Sequence, residues 1–380
     1  MQNQLQDCFV IASQDIEKLL AALINSGYRT IGPTIRDGAI IYDDISSISD
    51  LPIGWIDEQN GGTYRIKQTA EKAFFGYTVG PYSWKRFLHP PNVRLWQLQR
   101  RGNSLHFIEE KQKPEKFAFI GVRACELHAI QIQDRVLIND KNIDPIYATR
   151  REKNFILAIN CARAGGTCFC ASVNTGPKVS SGFDLALTEI LTADNHYFVV
   201  EVGSAAGAEI LAEAPHRKAS VEDNQLALDI IDKTAKSMGR TMNTDNIKEL
   251  LYRNLEHKRW DEVATRCLTC ANCTMVCPTC FCTTVEDTTD LTGEHAERWR
   301  KWDSCFTMDF SYIHGGSIRS STKSRYRQWM THKLATWIDQ FGTTGCVGCG
   351  RCITWCPVAI DITEEVRVIR ETEEQKEKGG

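Results

Sequence analysis

Cys267-Leu268-Thr269-Cys270-Ala271-Asn272-Cys273-Thr274-Met275-Val276-Cys277-Pro278 and Cys346-Val347-Gly348-Cys349-Gly350-Arg351-Cys352-Ile353-Thr354-Trp355-Cys356-Pro357 share one spacing, C-x2-C-x2-C-x3-C-P. Three closely spaced thiolates can each take one corner of a [4Fe–4S] cubane. The proline turns the chain away after the fourth cysteine, so that this thiol reaches a second cube. By that rule Cys267, Cys270, Cys273 and Cys356 hold one cluster, and Cys346, Cys349, Cys352 and Cys277 hold another. C-x2-C is also a zinc spacing, but zinc takes two well-separated pairs and has no use for a third thiol two residues on. The doubled motif therefore favours two iron–sulfur clusters over a zinc-stabilised scaffold.

The rest of the composition is consistent with a cytoplasmic redox protein. Sixteen cysteines in 380 residues are many for a reducing compartment, where they point to metal or redox chemistry rather than disulfides. Apolar residues make up 42% and charged residues 24%, and a formal net charge of −3 gives no reason to expect nucleic acid or an anionic membrane as partner. The start, MQNQLQDCFV, lacks a basic region and a long apolar run, so no signal peptide is expected. Apolar stretches such as Phe117–Val122 are too short to span a bilayer.

Three parts are expected: an α/β region over 1–115, an α/β domain with a helical connector over 116–260, and a mostly helical two-cluster ferredoxin-like domain over 261–380. In the first, Ser13 can cap a helix carrying Ile16, Leu19, Leu20, Leu23 and Ile24, stopped by Gly27. Strands Tyr28–Ile35 and Ala39–Tyr42 flank a turn at Asp37-Gly38. Tyr64–Arg101, rich in aromatics and bases, reads as a surface loop with aromatic packing anchors, in preference to a partner-docking surface. In the second, Phe117–Val122, Phe155–Asn160 and His196–Val202 read as strands of a parallel or mixed sheet, with a helix over Glu126–Leu137. Gly203-Ser-Ala-Ala-Gly207 is half of a dinucleotide fingerprint, and tight strand–helix packing explains it better. Helical patterns follow over Asn224–Met238 and Asp245–Trp260, and a charged helical tail from Glu364 frays toward Gly380.

Four more cysteines follow strand ends. Cys125 comes just after Phe117–Val122, Cys161 directly follows Phe155–Asn160, and Cys168 and Cys170 lie in the next Gly-rich turn. If the two strands are parallel neighbours, all four thiols converge where open α/β sheets collect ligands. They are candidates for a third [4Fe–4S] cluster, with zinc as the alternative. Cys280, Cys282 and Cys305 are left open between shielding, redox activity and another site, and Cys8 reads as structural. The long insert between Cys277 and Cys346 holds the basic stretch Arg319–Lys333, which fits either a solvated helix face or cationic groups that stabilise a reduced cluster.

GVRACELHAIQIQDRVL, NCARAGGTCFCAS, the twin motifs with CPTCFC between them, and WDSCF together resemble the beta subunit of cytosolic sulfhydrogenases, over about residues 115–365. The cluster domain is also similar to that of the iron–sulfur subunit of anaerobic sulfite reductase. The first resemblance implies an electron-transfer subunit of a nickel–iron hydrogenase complex. Its partners would be a flavoprotein subunit that handles NAD(P) and the hydrogenase small and large subunits. The second would attach the chain to sulfite reduction instead. The sequence fits either by what it lacks: a flavin or NAD fingerprint, nickel-ligand C-x-x-C pairs at both ends, and a haem C-x-x-C-H. No complete catalytic site is expected in this chain alone.

Overall fold

The computed structural model describes residues 8–109, 115–139, 141 and 143–379. The segment read as lacking a leader, and Gly380, lie outside them, apart from the strand that begins at Cys8. The expected hydrophobic runs become the centre of an eight-stranded mixed sheet. Its order is Arg217–Lys218, Cys8–Ala12, His196–Val202, Leu185–Leu191, Phe155–Ile159, Phe117–Arg123, Arg29–Arg36, Ala39–Asp44. Phe117–Arg123 and Phe155–Ile159 are buried at every position, as strands covered on both faces must be. They pair in parallel, with Arg123 opposite Ile159. That register puts Ala124-Cys125 and Asn160-Cys161 side by side just past the sheet edge.

The sheet runs across residue 115, because Arg29–Arg36 pairs in parallel with Phe117–Arg123. The helix Ile16–Asn25 buries Ile16, Leu19, Leu20 and Leu23, as its spacing predicts, and Ser13 lies in a short 3-10 turn before it. The helix expected at Glu126–Leu137 spans Ala124–Leu137. Gly203 and Gly207 sit where the sheet meets the helix Ala205–Ala212, and a Cβ on Gly207 would stand 2.0 Å from the Asp184 carbonyl oxygen. Close packing accounts for both glycines.

Three expectations need correction. Tyr64–Arg101 is not a surface loop: it includes most of the strand Thr63–Gln68 and the strand Asn92–Arg101, and Phe74, Phe75, Tyr77 and Trp84 are core residues. The helix read at Asn224–Met238 spans Val221–Lys236, capped by Ser220, whereas Asp245–Trp260 divides into Ile247–Arg253 and Arg259–Arg266. The C-terminal region is not mostly helical. Its insert folds as a hairpin, Thr283–Thr289 with His295–Trp302, and the second strand pairs with Asn92–Arg101 in a four-stranded antiparallel sheet. Half-exposed, charge-rich strands of this kind carry little hydrophobic alternation to read.

A second core lies under the cysteine motifs. It gathers Trp260, Phe306, Tyr326, Trp329, Leu334, Ile353 and Ile369, and also Phe169 from the middle of the chain. Among the described residues, no helix is long and apolar enough to cross a membrane.

Candidate iron–sulfur site

The two motifs share one backbone. The residues on either side of the second cysteine are left-handed in both: Thr269 and Ala271 in the first, Gly348 and Gly350 in the second. A one-turn helix then follows, Asn272–Met275 or Arg351–Thr354. The reversal of hand coils each C-x2-C-x2-C loop around a hollow. For Thr and Ala this conformation is strained, and it persists where the surroundings hold it.

Cys267, Cys270, Cys273 and Cys356 line one hollow together with Cys352 of the second set, and Phe306, Tyr326, Trp329 and Ile360 wall it. Cys356 thus lies beside Cys267 and Cys273 of the other motif as well as near Cys352 of its own. Burial pushes the Cys273 thiol well up, and Cys305, Cys267, Cys356 and Cys270 push it further. Cys270 is exposed, so this hollow reaches the surface at that thiol.

The second set is gathered in the same sense. Burial raises the Cys352 thiol, and Cys346, Cys349 and Cys277 lie close enough to raise it further. Burial likewise pushes Cys346 up to about 12, with Cys349 and Cys277 adding to the rise. Cys277 moves the other way, well below the usual thiol value: the Cys280 thiol donates to it and the Lys333 ammonium lies against it. Lys333 Nζ is 3.1 Å from Cys277 Sγ and 2.9 Å from Thr279 Oγ1.

The four thiols past the sheet edge also converge. Burial pushes Cys168 up to about 12 and Cys170 higher, and Cys161 bears on both. Cys125 is raised well up by burial, then by Cys170, Cys349 and Cys161. Asn160 holds the loop in place, donating to Thr188 Oγ1 at 2.8 Å and accepting from the Val179 amide at 2.8 Å. This loop docks onto the second motif. The Phe169 amide donates to the Gly348 carbonyl at 2.8 Å, and Thr175 Oγ1 donates to the Val347 carbonyl at 2.7 Å. A Cβ on Gly348 would stand 2.6 Å from Cys170 Cα, and one on Gly350 would stand 2.3 Å from the Thr167 carbonyl oxygen. Hence glycine occupies these two positions in the second motif, where the first has Thr269 and Ala271.

The donor chemistry suits iron–sulfur clusters. Crowded thiols in a low-dielectric interior cannot all ionise unaided, and give up their protons when a cation binds. Among the described residues, no three His, Cys, Asp or Glu side chains are placed to hold a single metal ion. A cubane has no such need, since its four ligands bind four different irons.

A family description, the 4Fe-4S dicluster domain, matches residues 266–360. Over 321 residues the chain is 31% identical to the Sulfhydrogenase 2 subunit beta of Pyrococcus furiosus, an alignment that covers 83% of this chain and 91% of that one. The chain belongs to the sulfhydrogenase beta-subunit family. No solved structure matches it. The dicluster match contains both motifs and the whole insert between them, so the hairpin Thr283–Trp302 lies within this family's cluster domain.

Cys280, Cys282 and Cys305 lie beside the first and second sets rather than apart from them. Cys280 contacts Cys277, Cys305 bears on Cys273, and the Cys305 backbone amide donates to the Cys282 thiol. Lys85 and Arg351 belong to the site and were not singled out in the sequence. Lys85 is buried, with Nζ 3.1 Å from the Cys280 carbonyl oxygen. Its sequence neighbours carry no cysteine that could have drawn attention to it.

Proposed function

We propose that this chain is an iron–sulfur electron-transfer subunit of a hydrogenase complex, with three [4Fe–4S] clusters. Cys267, Cys270, Cys273 and Cys356 hold the first, Cys346, Cys349, Cys352 and Cys277 the second, and Cys125, Cys161, Cys168 and Cys170 the third. Each cluster, when bound, takes up and returns one electron at a time. The protein's own part is to hold the thiols, exclude water with Phe306, Trp329 and Phe169, and supply donors to the sulfurs. Its partners are a flavoprotein subunit that handles NAD(P) and a nickel–iron hydrogenase pair, and the whole acts in the cytoplasm.

The observation that supports this reading most is the docking of the Thr167–Cys170 loop on Gly348 and Gly350. It makes the second thiol set the neighbour of the third, while Cys273 and Cys352 make it the neighbour of the first. A row of redox sites in one chain serves transfer between partners rather than bond-making, which belongs to other subunits.

The test is metal analysis and reduction of the anaerobically purified chain. About twelve iron and about twelve sulfide per chain are expected, on four of each per cubane. Dithionite should bleach the visible absorbance, whereas NAD(P)H should do so only after a flavoprotein subunit is added. Iron near zero with stoichiometric zinc would end the proposal, and so would rapid bleaching by NAD(P)H of the chain alone.

A further inference from the structure

The basic stretch Arg319–Lys333 divides into two kinds of residue. Arg327 pairs with Glu256 at the surface, as on any solvated helix face. Lys333, only 5% exposed, does not. It lies in a π-helical turn, His332–Thr336, set between the helices Thr322–Thr331 and Trp337–Phe341. Such a turn carries one extra residue and re-aims the side chains after it, and it recurs at functional sites. Here it directs Lys333 inward to Cys277.

An ammonium has three donors, and those of Lys333 meet Cys277 Sγ at 3.1 Å, Thr279 Oγ1 at 2.9 Å and the Gly345 carbonyl oxygen at 3.5 Å. Lys85, also 5% exposed, donates to the Cys280 carbonyl and lies 3.8 Å from the centre of the Trp302 ring. Among the described residues neither lysine is paired with a carboxylate. Near the first set, Arg325 is buried and acts on Cys267 through space, but its Nη1 meets Met308 Sδ and not a thiol. Near the third set, too, the cations are held mainly by other groups. Arg351 is bonded to Glu126, and Arg123, with Nη1 3.8 Å from Cys161 Sγ, spends its other end on the Phe75 and Tyr77 carbonyls. A buried cation without a carboxylate is costly unless another negative charge lies beside it. The thiolate of Cys277 is that charge, and it becomes more electron-rich when its cluster is reduced.

We propose that Lys333, with Lys85 behind it, is the positioning residue that makes the cluster held by Cys277 the most easily reduced of the three. This rests on the ligand assignment proposed above. A charge-assisted hydrogen bond to a cluster sulfur is strengthened by the added electron, most of all where water is excluded. The middle of the row is then where an electron rests between partners.

The experiment compares the full chain with its Lys333→Met, Lys333→Arg and Lys85→Met variants, by iron and sulfide analysis and by EPR-monitored redox potentiometry. The signal of the second cluster is identified as the one lost in Cys349→Ser. Lys333→Met is expected to keep its iron and to lower that signal's reduced-to-oxidised ratio about tenfold at fixed potential, which is about 59 mV for one electron. Lys333→Arg, which keeps the charge, should recover most of the loss, and Lys85→Met should move the same signal less. Should Lys333→Met lose its cluster, Lys85→Met and Lys333→Arg decide. The inference is overturned if the second cluster is not the highest in potential, if full iron is retained with no midpoint moved, or if Lys333→Arg shifts as far as Lys333→Met. A wild-type chain without three clusters would instead overturn the ligand assignment.

Discussion

The guanidinium of Arg351 is bonded to the carboxylate of Glu126, and both are buried. Arg351 precedes Cys352 in the second motif, and Glu126 follows Cys125, so this one pair ties the two thiol sets together. Glu126 also accepts from Tyr42 Oη, from Trp84 Nε1 at 3.1 Å and from the Arg123 amide at 3.3 Å. It is therefore the hub of a buried polar network.

Glu126→Gln should destabilise the chain by about 3–5 kcal/mol, because it leaves a buried guanidinium without its counter-charge. Arg351→Met should cost a similar amount by stranding the carboxylate. The double variant should cost less than the sum, since each single change removes the same interaction. Thermal unfolding of the three variants checks this, and strict additivity would show that the pair is not coupled.

Gly348→Ala should separate the second thiol set from the third. The new Cβ would collide with the Cys170 backbone, and at a φ of +62° an alanine is strained as well. Overpacking of this kind costs about 1–3 kcal/mol. The change should fall on the Thr167–Cys170 loop, leaving the first set intact. Iron should drop by about four per chain, with the EPR signal lost in Cys270→Ser retained. Full iron and three unaltered signals would show that the docking is not needed.

What was legible in the sequence is what local spacing or strand polarity dictates. The gathering of Cys356 with Cys267, Cys270 and Cys273 follows from a repeat of fixed spacing, read without any fold. The meeting of Cys125 with Cys161 was legible only on condition that the two apolar runs are parallel neighbours, a pairing that the structure supplies. The docking of the two loops was written in Gly348 and Gly350, yet glycines inside a cysteine motif read as turn residues until the approaching backbone is seen. The pairing of His295–Trp302 with Asn92–Arg101 joins half-exposed, charged strands far apart in sequence, where neither hydrophobic period nor turn chemistry marks the partner. Lys333 was in view as the end of the basic stretch Arg319–Lys333, but which of its residues turns inward was not legible, because a π turn breaks the helical phase by which its face would have been inferred.

Acid should weaken the fold through His89. The ring is buried, neither of its nitrogens has a hydrogen-bond partner among the described residues, and burial, with Arg300 nearby, lowers its pKa from 6.5 to about 4. Between those values the unfolded chain takes up a proton that the folded chain refuses. The stabilisation is therefore complete above about 6.5 and is lost as the pH falls toward 4, by at most about 3 kcal/mol. His332, also lowered to about 4 by burial and by Lys333, acts in the same direction. His89→Leu should lower the melting midpoint less than wild type does between pH 7 and pH 5. Equal falls would remove His89 from the account.

Cys356→Ser tests the crossing of ligands between the two motifs. Cys356 belongs to the second motif by sequence, but its thiol opens into the hollow lined by Cys267, Cys270 and Cys273, and the Ile360 amide holds it there from 3.3 Å. Serine has nearly the same shape and is a poorer ligand for iron, so the fold should survive while one cubane loses a corner. The altered EPR signal should be the one that Cys270→Ser also alters. The signal lost in Cys349→Ser should persist with its midpoint unchanged, although Cys349 is much nearer in sequence. Iron should fall from about twelve toward about eight per chain as the weakened cube is lost. Should Cys356→Ser instead disturb only the signal that depends on Cys349, each motif would close on its own cluster, and the paired assignment of Cys277 to the second set would fall with it.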